Sequence, residues 1–128
     1  MKKALKFFLV FVTIFSVLIG GTVLSYASSM TRVINDIYFN AYSSISASNA
    51  SVGTVSGSGN ISVTASGVYS YINYNTLKVT TVTKSESDDP AIVVSFTAPS
   101  ECRSVRVLGG HTAKSGTETW TGATSAYY

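Results

Sequence analysis

From Val33 onward the chain repeats one pattern: apolar residues at every second position, interrupted by short runs of Gly, Ser, Asn or Pro. That period suits a strand with one buried face and does not suit a helix. Val33, Ile37, Phe39, Ala41, Ile45 and Ala47 fall on one face, and Tyr38, Asn40, Tyr42, Ser44 and Ser46 on the other. After a polar lead-in from Ser28 to Arg32, the pattern predicts one long strand, or two joined near Ser43-Ser44. Ser48 to Ser56 is less regular, because Val52 and Val55 are out of phase. Gly57-Ser58-Gly59-Asn60 signals a turn, Ile61, Val63 and Ala65 alternate again, and Ser66-Gly67 signals a second turn.

Beyond it, Val68, Ile72 and Tyr74 share one side of a strand and Tyr69 and Tyr71 the other, with Asn73 to Thr76 placed to close a hairpin. From Leu77 to Lys84 the apolar phase shifts, which predicts a bulge near Thr80-Thr81. Ser85 to Pro90 reads as an acidic loop. Ala91 to Ala98, bracketed by Pro90 and Pro99, is the most apolar run past the leader and the best candidate for a central strand. Val105 and Val107 alternate with Arg106 outward, Gly109-Gly110 signals a turn or bulge, Lys114-Ser115-Gly116 another turn, and Thr117 to Tyr128 a closing strand. About seven to nine short strands at such spacing predict an all-β fold, a small antiparallel β-sandwich, with a partly open β-barrel as the alternative.

The first residues set the compartment. Lys2, Lys3 and Lys6 head an apolar segment from Phe7 to Ile19, and Ser25-Tyr26-Ala27 puts small residues where a signal peptidase reads. This predicts a secretory signal peptide over residues 1–27 and one all-β domain over 28–128, secreted and extracellular, with association to the cell wall open. The alternative is an uncleaved spanning helix from Ala4 to Leu24, which would be the chain's only hold on a membrane. The formal charge of +3 belongs entirely to the three leader lysines. The remainder balances Arg32, Lys78, Lys84, Arg103, Arg106 and Lys114 against Asp36, Glu86, Asp88, Asp89, Glu101 and Glu118. A neutral domain has no means of holding nucleic acid by charge.

The titratable residues carry no catalytic or metal-binding spacing, and no cofactor is expected. Cys102, the single cysteine, cannot form a disulfide within the chain and is expected as a small buried residue or a free thiol. If Arg103 to Leu108 is extended, Cys102 and His111 stand roughly 20 Å or more apart, too far for a nucleophile and its base. His111 is expected in a loop or at a strand end. Glu86, Asp88 and Asp89 lack the alternation and central glycine of a calcium loop, and one His with one Cys cannot complete a zinc shell.

The aromatic residues are the most suggestive feature. Tyr69 and Tyr71 project from one strand face about 7 Å apart, and Tyr38 and Tyr42 share a face of an earlier strand. With Trp120, Tyr69 and Tyr71 are the candidate ligand-binding residues, a flat platform for sugar rings or a protein partner. The competing expectation packs the same side chains inside the sandwich. The segment from Tyr69 to Asn75 has β-forming residues and no charge, so an exposed edge there would pair copies of the chain. The tail, with His111-Thr112-Ala113, then Gly116, Trp120, Ala123-Thr124 and Tyr127-Tyr128, resembles the C-terminal part of small secreted bacteriocins of the lactococcin type over under a fifth of the chain. The resemblance implies a diffusible antibacterial polypeptide as the alternative to a non-catalytic binding module, and it transfers no functional residue.

Overall fold

The structure, a computed structural model, describes residues 27–128. The leader expected over residues 1–27 lies outside the described residues apart from Ala27, and so does the alternative membrane helix. Eight strands follow in order: β1 (Ser28–Ile34), β2 (Ile37–Ile45), β3 (Asn49–Ser56), β4 (Ser62–Asn73), β5 (Val79–Asp88), β6 (Ala91–Thr97), β7 (Cys102–Ser115) and β8 (Glu118–Tyr127). They form two four-stranded antiparallel sheets, β1-β2-β3-β6 and β5-β4-β7-β8, packed face to face in a sandwich-like arrangement. The sheets do not join into a closed barrel.

Local chemistry sets most of the turns. Asn35 and Asp36 have φ of 46° and 61°, the left-handed pair that a two-residue hairpin requires, and they join β1 to β2 between the partners Ile34 and Ile37. The expected polar lead-in is therefore a strand, and β2 runs through Ser43-Ser44 without a break. Asn73 Oδ1 accepts hydrogen bonds from the backbone N–H of Asn75 and Thr76, closing the expected β4–β5 hairpin. Gly116, at φ 58°, turns β7 into β8, and Asn35 Nδ2 donates to Ser115 O across 2.8 Å, so these two turns meet.

Several expected breaks are absent because the sheets carry the chain straight through them. Ser66-Gly67 lies inside β4, with the Phe96 ring lying over Gly67, and Gly109-Gly110 lies inside β7. The expected acidic loop is mostly the second half of β5, whose register with β4 is unbroken at Thr80-Thr81. The irregularity sits in β7, where Val105 is the extra residue between the partners of Ser70 and Tyr71. The apolar run of β6 forms an edge strand, not a central one. Its Val94 and Phe96 point into the core, Val93 stays 43% exposed, and the flanking prolines suit an edge.

Two apolar clusters fill the space between the sheets. One gathers Val52, Tyr69, Val94, Phe96 and Val107, and the other Ile34, Phe39, Ile61, Val63 and Ala113. A belt of hydroxyls and one imidazole joins β2, β3, β7 and β8 across the interior: Ser43, Thr54, His111 and Thr124, all buried. Thr54 Oγ1 spends its proton on Thr64 O at 2.9 Å, so it must accept from His111 Nδ1 at 2.8 Å. The bare Nε2 then accepts from Thr124 Oγ1 at 2.6 Å, which in turn accepts from Ser43 Oγ at 2.5 Å. Every donor in the chain has a single direction.

Candidate ligand-binding face

The outer face of β1-β2-β3-β6 is built by the alternation that places Phe39, Ala41 and Ser43 inside. Tyr38, Asn40, Tyr42 and Ser44 then point to solvent from β2. The register aligns them with neighbours about 4.8 Å away on either side. One row reads Ser29, Tyr42, Gly53 and Val93, and the next Thr31, Asn40, Val55 and Ala91. Val33 pairs with Tyr38 at one end, and Ser44, Ser51 and Ser95 align at the other. None of these residues carries a charge.

Two tyrosines give the face its shape. Tyr38 is 70% exposed, while Tyr42 lies flat across its partner Gly53, where a Cβ would overlap the ring. The glycine therefore fixes the orientation of Tyr42 and keeps its ring in the plane of the sheet. At about 3.3 Å per residue the two side chains stand roughly 13 Å apart along β2. Beyond Ser44 the face drops into an open depression of about 280 Å³ walled by Ser44, Asn49, Ser51, Ser95 and Thr97. There Ser44 and Ser51 share a 2.8 Å hydrogen bond and Thr97 Oγ1 donates to Asn49 Oδ1.

The residues singled out from sequence sit elsewhere. Tyr69 and Tyr71 do share a face of β4, but it is the inner one. Tyr69 is 1% exposed, with its hydroxyl 2.7 Å from Ser104 Oγ and its ring 5.3 Å from Phe96. Tyr71 is half-buried, 5.8 Å from Tyr69 between ring centroids. Burial raises the Tyr69 phenol above its ordinary range, partly offset by the hydrogen bond from Ser104. Trp120 is half-buried in the other cluster, meeting Phe39 edge-on at 5.0 Å and lying over Gly122. These three rings do not share a surface.

His111 is 2% exposed in mid-strand, not in a loop, and burial pulls its imidazole down to about 4. Cys102 and His111 both lie on β7, nine residues apart, with Cys102 half-buried against Asn73 at the opposite end from Ser115. Glu86, Asp88 and Asp89 are exposed, and no group of three or more His, Cys, Asp or Glu side chains converges among the described residues. No family model matches the chain, and no curated protein matches it. His111 and Trp120, which carry the resemblance of the tail to bacteriocins, both pack in the interior.

Proposed function

We propose that the protein is an exported binding module without chemistry of its own, and that it holds a neutral polysaccharide on the outer face of β1-β2-β3-β6. One observation carries this: a flat face with two aromatic rings, hydroxyls and an amide but no charge. Sugar rings offer apolar C–H faces that stack on Tyr38 and Tyr42, and hydroxyls that Asn40 and the Ser44-Ser51-Ser95 row can meet. The absence of charge suits an uncharged polymer, which gives an ionic side chain nothing to pair with. The exposed tyrosines act as the anchors, and the pre-set Tyr42 ring loses little freedom on binding.

The chain recovered from producing cells is expected to be retained on at least one of cellulose, chitin or dextran, and not on polygalacturonate. Tyr38→Ala should weaken retention about tenfold while leaving the β-sheet circular dichroism unchanged. Retention of the variant at full strength would remove this face from consideration. Export rests on the basic head and apolar centre of the leader. The intact mass of the protein found outside the cells should begin at Ser28, the first residue of β1; a full-length mass held in the membrane would refute cleavage. Protein that binds none of the polymers but kills neighbouring cells would favour the antibacterial alternative.

A further inference from the structure

The uncharged Tyr69–Asn75 segment is not an edge, because β4 lies between β5 and β7. The four edges of the two sheets are treated unequally. In an antiparallel pair, alternate residues turn their N–H and C=O away from the partner. On β1 the outward carbonyl of Thr31 is taken by Arg32 Nη1 at 3.0 Å. On β6, short and bounded by Pro90 and Pro99, the outward carbonyl of Ser95 is taken by Lys84 Nζ at 2.7 Å. On β8 the N–H of Ser125 is taken by Ser28 Oγ of β1 at 2.9 Å, and the two strands lie against each other. Such coverings are how edge strands avoid pairing with strangers.

Among the described residues, none of the outward backbone groups of β5 is covered in this way, although its Lys84 reaches across to β6. β5 is exposed along nearly its whole length, and the backbone bond from Asn73 N–H to Lys78 O fixes the phase of its pairing with β4. Even-numbered residues bond to β4, so Val79, Thr81, Thr83, Ser85 and Ser87 turn their backbone groups to the open side. Lys84 bends inward over the Phe96 ring, at 5.1 Å, and leaves that side clear. The charges along this edge are segregated, Lys78 and Lys84 toward one end and Glu86 and Asp88 toward the other, which makes the strand complementary to an antiparallel copy of itself.

We propose that β5 pairs antiparallel with β5 of a second copy about a two-fold axis at Val82. In that register Thr81 exchanges hydrogen bonds with Thr83 of the other copy, and Val79 with Ser85, all through outward-facing backbone groups. Lys78 stands across from Glu86 twice, once on each side of the axis, and the two Val82 side chains meet. Centring the axis on Thr81 sets Lys78 against Lys84, which charge disfavours. Centring it on Thr83 sets Lys78 against Asp88 and Glu86 against Thr80, so the Lys78–Glu86 pair is what distinguishes the proposed register. The result is one continuous eight-stranded sheet. Because β8 is covered by β1, the assembly closes at two copies and does not propagate. The contact is small and dissociates on dilution.

Sedimentation velocity across a concentration series tests this. The chain should pass from monomer to dimer as concentration rises, with no larger species. Thr83→Pro removes an outward N–H without touching the ladder to β4 and should abolish the dimer. Lys78→Glu or Glu86→Lys alone should weaken dimerisation at least about fivefold at low salt, and the two together should restore it. Restoration by the double exchange is the signature of this register. A chain monomeric up to millimolar concentration would overturn the proposal, as would a dimer indifferent to Thr83→Pro or single charge reversals that the double exchange does not repair.

Discussion

Acidification from pH 7 to pH 4 should remove about 3 kcal/mol of folding stability through His111 alone, at about 1.4 kcal/mol per unit of pKa displacement. Burial holds the folded imidazole at about 4 against an ordinary 6.5. A group whose folded value is depressed binds fewer protons in the folded state. Its contribution is therefore whole above pH 6.5 and shrinks as pH falls, until it is lost near pH 4. The geometry agrees in sign. A proton on Nε2 would face Thr124 Oγ1 and force Thr124 and Ser43 to turn their hydroxyls around. The groups bonded to the ring are the hydroxyls of Thr54 and Thr124, and its cross-strand partners are Ala65 and Gly122, none able to take up the charge.

The chain has one histidine, so its ring resonances can be followed without assignment. They should stay in the neutral form down to about pH 4.5. Urea unfolding of wild type and His111→Gln should show a stability gap that narrows as pH drops, because only the wild type has a proton to take up at this position. Titration of the folded ring near 6.5 would refute the buried network as the source of acid sensitivity.

The class of fold was readable from the chain because alternation is a local property, and each strand carries its own. β2 shows how well this works within one strand: the inward and outward sets predicted are those observed from Ile37 to Ile45. Val33, predicted inward, instead lies across the Asn35-Asp36 hairpin on the outer face opposite Tyr38, half exposed. Two of the misplaced breaks come from glycine. Gly67 and Gly109 look like turns in isolation but are close-approach positions, where a missing side chain makes room for Phe96 or for Ser43 and Thr124. Reading a turn at Ser66-Gly67 broke the phase that runs from Ile61, Val63 and Ala65 to Tyr69 and Tyr71. Kept unbroken, that phase puts both tyrosines inside. The candidate face was half visible, since Tyr38 and Tyr42 fall on the outward set. What no local pattern holds is which strands are neighbours: that β6 is an edge, that Gly53 lies under Tyr42, or that His111 meets Thr54 and Thr124.

Adjacent glycines on β7 should answer in opposite directions to the same substitution. Gly109 points inward, and a Cβ there would come within 2.5 Å of Ser43 Oγ, 2.7 Å of Thr124 Oγ1 and 2.8 Å of Val52 Cγ1. All three belong to short side chains on packed strands, which have no room to swing away. Gly109→Ala should therefore cost about 3 kcal/mol, combining overpacking with disruption of the hydroxyl relay that feeds His111 Nε2. Gly110 points outward, its nearest neighbour across the sheet being Ser66 Cβ at 3.8 Å, an ordinary contact. Gly110→Ala should be neutral or stabilising by about 0.5 kcal/mol, since alanine loses less backbone freedom in a strand. Chemical denaturation of the pair checks both. If Gly109→Ala were as stable as wild type, the Ser43–Thr124 hydrogen bond would not sit where it fixes the histidine tautomer. The acid-sensitivity argument would then lose its geometric half, because the relay gives the neutral ring its direction and the glycine gives the relay its space.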